Sequence, residues 1–287
     1  MKNDARTFKQ GFWQHRNSDM QKDLFNEGVI EESFKADCDI GNKTLYALCE
    51  KYPLYDNPSE DALSGQIWLI GRSYAASPER RHYKWPEKTK EDNNSGQGGN
   101  GLDTFFKSLA QELLKDSEFE KIIHFIKDNR EKQYDFDYSE KDIKLLLQVG
   151  DIVNLFNSVL KEAIKRVDKN VMEAHPDAEI NNFISFSSKY MHFQLRNIVF
   201  IKDSISASHL SKMGIKADNK TLKSAIKNKQ CSEYHKHIIK EYVFGCMANK
   251  QKIPYITPRN IDTYVLSYEY KKESKDGGHT KDGKHEN

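Results

Sequence analysis

The residues with the densest chemical potential lie between Ser185 and Ser204. Ser185-Phe186-Ser187-Ser188-Lys189-Tyr190-Met191-His192-Phe193 is followed by the apolar run Ile198-Val199-Phe200-Ile201 and then by Lys202-Asp203-Ser204. A lysine among small and aromatic neighbours is desolvated, which lowers its pKa towards the range that a Schiff-base nucleophile or general base needs. A structural, snorkelling lysine has the same local pattern. Asp203 reads as the N-cap of a following helix, where it accepts a backbone N–H and sits favourably on the helix dipole. The same place, at the end of an apolar extended run, aims a carboxylate at a ligand, and a helix N-terminus also attracts anions. Tyr190 and His192 suit stacking on a nucleobase or hydrogen bonding to it, and they suit a helix core as well. Lys202 and Ser204, on either side of Asp203, complete this set of binding candidates.

A second motif is Ile67-Trp68-Leu69-Ile70-Gly71-Arg72-Ser73-Tyr74-Ala75-Ala76-Ser77-Pro78-Glu79-Arg80-Arg81. It places Arg72, Arg80 and Arg81 near a helix end, where guanidinium groups grip phosphate in forked geometry, with Ser73 and Tyr74 available to line a pocket. Ordinary packing, with each arginine paired to an acid, explains the pattern equally well. Gly71 permits a close approach of another chain segment.

The order of a small-residue helix bearing Ser-Lys, an aromatic helix end, and an apolar extended run closing in Asp at a helix start resembles the catalytic region of helix-hairpin-helix DNA glycosylases. It is most similar to bacterial proteins with an 8-oxoguanine-DNA-glycosylase-like fold, mostly uncharacterised, some of them implicated in anti-phage defence. Their pattern, close to Ser-Phe-x-Ser-Lys-Tyr-x-x-Phe and then Asp-Ser, stands here as Ser185 to Phe193 and Asp203-Ser204, within roughly residues 180–215. The resemblance implies a helical glycosylase-like fold with helices in two layers or subdomains flanking a cleft. It also implies base excision without a cofactor. Asp203 would stabilise positive charge on the sugar or activate water, and Lys189 would be the amine for attack on C1′. The partner would be double-stranded DNA carrying a modified base, a phage-modified one by family context, flipped out because its glycosidic bond is unreachable inside the duplex. The chain departs from the true glycosylases in two ways: the glycine-rich hairpin before Lys189 is missing, and Lys189 and Asp203 stand only fourteen residues apart.

Nearly everything that must position these residues reads as helix, because apolar side chains recur at three- and four-residue spacings and alternating runs are scarce. The fold class is all-α. Phe8, Phe12 and Trp13 suggest a short first helix, and Leu45, Leu48 and Cys49 a second that ends before Pro53. Pro58-Ser59-Glu60 opens a helix carrying Leu63, Ile67, Ile70 and Tyr74 and stopping near Pro78. Further helices are predicted from Asp103, from a capping box at Ser117-Glu118-Phe119-Glu120, and from Ser139 to about Val171, either as one long helix or as two broken at Gly150. Others follow over 180–193, 203–213, 221–227 and 232–247, and from Thr257-Pro258, which has a cap and an N1 proline in order. The stretch Asn93 to Gly101 holds no apolar side chain and is expected to be a flexible loop within 90–102. Residues 1–270 are read as one domain, and 271–287 as a disordered polar tail.

Composition narrows the function classes. With 287 residues, 37% hydrophobic, 31% charged and a mean hydropathy of -0.82, the chain has a real core under a polar surface. No run approaches the roughly 18 apolar residues of a membrane span, and the N-terminus lacks an apolar signal segment, so no membrane partner and a cytoplasmic, reducing setting are expected. Cys38, Cys49, Cys231 and Cys246 show no C-x-x-C spacing; Cys231 and His235 share an i, i+4 spacing without a third ligand nearby, and no metal site is expected. The Gly-x-Ser-x-Gly, P-loop, dinucleotide, H-E-x-x-H and EF-hand patterns are absent, and eight residues separate Arg166 from His175, too many for an abortive-infection ribonuclease motif. Net charge is +2 overall, but Arg196 to Lys252 holds twelve bases against four acids. Such a segment attracts a polyanion or forms a solvated lysine-rich surface. A non-catalytic nucleic-acid-binding or sensor protein of anti-phage defence is therefore the alternative to an enzyme.

Overall fold

The computed structural model describes residues 40–56, 58–78, 83–84, 102–175, 179–227 and 229–267. The early helix at Phe8, the loop at Asn93 to Gly101, Arg80, Arg81 and the C-terminal tail lie outside the described residues. Those described are almost wholly helical: α1 Ile40–Lys51, α2 Glu60–Ser73, α3 Leu102–Leu114, α4 Ser117–Asn129, α5 Glu140–Val167, α6 Lys169–Ala174, α7 Ile184–Gln194, α8 Ser204–Lys212, α9 Lys220–Lys227, α10 Glu233–Lys250 and α11 Pro258–Ser267. A two-residue antiparallel ladder pairs β1 Tyr83–Lys84 with β2 Glu179–Ile180. It takes the first residue of the helix expected over 180–193, so α7 begins only at Ile184.

Several helix ends follow directly from capping chemistry. The side chain of Ser59 accepts the Ala62 N–H at 3.1 Å and starts α2, and Ser139 does the same for Asp142 at 3.3 Å to start α5. At α4 the expected Ser117 cap gives way to Asp116, whose carboxylate accepts the Glu118 N–H at 2.9 Å. An aspartate brings both the acceptor and a charge that suits the helix dipole. α10 opens on Ser232, which exchanges hydrogen bonds with His235 in a capping box. Cys231 therefore precedes the helix instead of sharing a face with His235, and among the described residues no group of three metal-binding side chains converges.

The long helix α5 is the hub, packing against α3, α4, α7, α9 and α10. Its apolar stripe from Ile143 through Leu146, Val149, Val153, Phe156, Leu160 and Ile164 is buried. The same helix has the length and composition of a membrane span, yet half of its most apolar window is packed inside the protein. Gly150 does not break it. A Cβ there would stand 2.2 Å from Cδ2 of His235, so the glycine makes room for α10 to approach. Two groups of helices pack among themselves, α1 with α2 and α7, and α8 with α10 and α11; α7 and α10 also pack against α5.

The loop before α5 is tied down by one buried carboxylate. Asp142 Oδ2 accepts the N–H groups of Asp135 at 2.9 Å and Phe136 at 2.8 Å, and the hydroxyl of Tyr242 on α10 at 3.2 Å. Phe136 is held there at φ 52, in the left-handed region that a bulky side chain avoids unless its surroundings impose it. Asp142→Ala would strand two backbone donors and release that strain into a disordered loop, at an expected cost of about 2–4 kcal/mol in a denaturant titration.

Candidate functional site

Asp203 and Lys189 are mounted on one unusual segment. After α7 the chain turns through Ile198, and the buried run Ile198-Val199-Phe200-Ile201 belongs to no helix or sheet, so its carbonyls need donors from elsewhere. Side chains supply them in turn. Tyr134 donates to Ile198 O at 3.0 Å, His192 Nδ1 to Val199 O at 2.7 Å, Tyr234 to Phe200 O at 2.8 Å and His237 Nε2 to Ile201 O at 3.0 Å. The Lys202 N–H donates to the Ser188 hydroxyl at 3.0 Å. The run therefore ends in a fixed place, and Asp203 caps α8 there in a full capping box with Ser206, accepting its N–H at 2.8 Å.

Ser188 ties the segment to the residue that precedes Lys189. Lys189 itself is 5% exposed, its Nζ donating to Ser185 Oγ at 3.2 Å and lying 5.1 Å from the centroid of the Tyr74 ring. Burial pushes its pKa down, opposed by the carboxylates of Asp203 and Asp262. Tyr74 reaches it because the chain after α2 doubles back over Gly71, where a Cβ would stand 2.8 Å from Ser77 Cα. Tyr74 also donates to Asn42 Oδ1 on α1 at 2.5 Å.

The remaining sequence candidates fall in different places. Tyr190 is fully buried, its hydroxyl on Gln66 Oε1 at 3.0 Å, so it belongs to the packing between α7 and α2. His192 is buried too; Nδ1 holds Val199, Nε2 takes the Tyr46 hydroxyl at 2.5 Å, and burial pushes its pKa down to about 3, leaving a neutral ring. It positions the buried run and does not face a ligand. Arg72 is half-buried in the last turn of α2, and Ser73 is exposed at its end. Lys202 is half-buried with its pKa lowered by burial, and Ser204 is exposed on the first turn of α8.

The structure adds residues that the motif does not contain. Asp262 on α11 is 1% exposed, with Oδ2 accepting from Arg259 at 2.9 Å and Oδ1 unpaired. Glu241 on α10 is fully buried with both carboxyl oxygens unpaired. Its nearest basic group, His237 Nε2, is 3.4 Å away but spends its N–H on Ile201, and burial pushes that ring down to about 4. Burial pushes the pKa of both Glu241 and Asp262 up; Asp203 raises each of them further, and Asp262 also raises Glu241. Lys189, Asp203, Glu241, Asp262 and Arg259 are thus linked electrostatically as one charged group, with Arg259 and Asp262 in direct contact. Of the two residues singled out for catalysis, Asp203 is half-buried and Lys189 is buried.

The basic segment is only partly neutralised. Lys223 pairs with Asp218, Lys229 with Asp151 and Lys236 with Glu233, while Lys216, Lys220 and Lys227 are exposed without an ion pair among the described residues. Another surface concavity, lined by Glu112, Lys115, Asp116, Ser117 and Arg166, is bridged by Arg166 to Glu112 and Asp116 at 3.0 Å each and contributes no side chain to the cluster. Comparison with protein-family models, curated proteins and solved structures gives no match, so the chemistry of this cluster is argued from its own residues.

Proposed function

We propose that this protein is a DNA glycosylase that hydrolyses the N-glycosidic bond of a modified base, such as a phage-modified one, in duplex DNA, with Asp203 as the catalytic carboxylate. The observation that carries the reading is a half-buried carboxylate, Asp203, fixed as a helix cap and acting electrostatically on a buried, desolvated lysine, in a chain that also carries exposed, unpaired lysines. A glycosyl bond breaks with positive charge building on the sugar, and a fixed carboxylate in a partly dry site stabilises that charge without reorganising. Asp203 then takes a proton from the water that adds to C1′, while the bonding electrons leave with the base. Lys189 is the candidate amine should attack on C1′ be direct. The unpaired lysines supply salt-sensitive phosphate contacts, and the target nucleotide leaves the stack to reach Asp203.

The test incubates the full-length protein and Asp203→Asn with unmodified, oxidised and phage-modified duplexes, then reads alkali-induced strand breaks on a gel. Breaks that require Asp203 are expected on one class of modified duplex. No breaks on any duplex, with both proteins binding DNA equally, would sink the enzyme reading and leave a non-catalytic nucleic-acid-binding or sensor protein.

A further inference from the structure

Where α10 starts against α5, Ser232, His235 and Asp151 stand in one hydrogen-bonded line. The Ser232 hydroxyl is 2.9 Å from Nδ1 of His235, and Nε2 across the ring is 3.2 Å from Oδ1 of Asp151. These are the residue types of an activated serine, but the serine oxygen has no lone pair to spare. It already accepts the His235 N–H at 3.2 Å and an Asn154 amide hydrogen at 2.8 Å. Its own hydrogen is left for Nδ1, which the Ser232 N–H also approaches at 3.3 Å. Two donors on one nitrogen make Nδ1 an acceptor. The ring is therefore neutral with its proton on Nε2, shared between Asp151 and the Leu147 carbonyl at 3.3 Å.

A second proton has no acceptor to meet. At Nδ1 it would face both Ser232 donors and break the capping box that opens α10. The ring cannot swing aside, because its side chain is 3% exposed and rests on α5 where Gly150 has no room for a Cβ. What depends on that box is the candidate site. Tyr234 and His237, in the first two turns of α10, hold the carbonyls of Phe200 and Ile201, and Lys202 and Asp203 follow directly.

We propose that His235 is a proton-operated latch: neutral, it closes the start of α10 and positions the Asp203 segment through Tyr234 and His237; protonated, it releases both. His235 is a positioning residue. Its effect on catalysis rests on the glycosylase reading, whereas the latch itself does not. The charged groups around it come from each side. α5 brings Asp151, 58% exposed and held by Lys229 at 2.6 Å; the stretch before α10 brings Lys229 and Cys231; on α10, Glu233 and Lys236 pair with each other at 2.6 Å, and Lys202 acts on both from the buried run. α8 and α11 meet α10 further along, where Lys240 donates to Ser211 and Asp262 acts on Glu241. Burial, which lowers the pKa of the ring, outweighs Asp151, which raises it. Because the ring binds its proton less tightly folded than unfolded, the latch contributes stability above about pH 6.5 that is lost as pH falls through the folded value.

Two substitutions in the full-length protein test this. In His235→Asn, Oδ1 stands where Nδ1 does and accepts the same donors with no proton to gain; Asp151→Asn removes a surface charge and leaves the ring in place. Imidazole nitrogen NMR is expected to show the wild-type ring neutral at about pH 7 with its proton on Nε2, titrating below about 6.5, and lower still in Asp151→Asn. The backbone amide peaks of Lys202 and Asp203 should move with the midpoint of His235 in both proteins and lose that step in His235→Asn. From about pH 7 to 5 the wild type should lose about 3 °C more in melting temperature than His235→Asn, and on the order of ten-fold more strand-break activity. A ring that titrates at or above about 6.5, or Lys202 and Asp203 peaks that follow only His237 near pH 4 or His192 near pH 3, overturns the latch. Should His235→Asn not fold, the shift in Asp151→Asn decides by itself. If the wild type cleaves no DNA, the glycosylase reading fails while the NMR and melting results still decide the latch.

Discussion

Asp203→Asn is expected to unfold within about 0.5 kcal/mol of the wild type and yet to lose base-excision activity about a thousand-fold. The two effects separate because Asp203 has two jobs. As N-cap it accepts the Ser206 N–H at 2.8 Å, and asparagine caps a helix as well as aspartate does. As a charge it opposes the desolvation of Lys189, and asparagine brings none. Asp203→Ala removes both, so it should lose the same activity and a further ~1 kcal/mol of stability, read from denaturant midpoints. Equal activity in Asp203→Asn and the wild type would reduce Asp203 to a cap.

The largest stability effect is expected at Gly245, on the face of α10 that meets the loop before α5. A Cβ there would stand 2.3 Å from Cδ1 of Phe136 and 2.9 Å from Cδ1 of Ile261. Phe136 cannot give way: its N–H is held by Asp142, its ring stacks on Tyr242, and its backbone already sits at positive φ. Gly245→Ala should cost about 3 kcal/mol or more despite alanine's better helix propensity, because overpacking at a fixed contact outweighs it. Gly65 provides the control. It also lies inside a helix, but nothing stands within 4 Å of its Cβ position, so Gly65→Ala should stabilise by about 0.5–1 kcal/mol. Thermal melts of the two variants moving in the same direction would contradict this account.

Helices and caps were legible in the sequence because they depend on local periodicity and on single capping residues, as at Ser59, Ser139 and Thr257-Pro258. Lys189 and Asp203 were legible because they share one short motif. Glu241 and Asp262 were not, since each comes from a different helix and converges only through packing. Their one local signal is an acid inside an apolar run, Ile238-Ile239 before Glu241 and Ile261 before Asp262. Tyr190 and His192 show the converse. They neighbour Lys189 in sequence, but α7 is buried nearly all round, so adjacent positions point into different parts of the core. The β1–β2 ladder had no periodic signal, being two residues long on each side.

The run from Ile198 to Lys202 has a consequence for how the protein breathes. Loop amides normally trade their hydrogen for solvent deuterium quickly, through small local openings. The Lys202 amide lies outside any helix or sheet, but its N–H rests on Ser188 at 3.0 Å and its neighbours are clasped by four side chains from three parts of the fold. Exposing it requires those clasps to open together, so it should exchange as slowly as the amides in the middle of α5. The Asp203 carboxylate next to it would then be anchored to the slowest-opening unit of the protein, and any ligand would reach it through movement of what surrounds Asp203 and not of Asp203 itself.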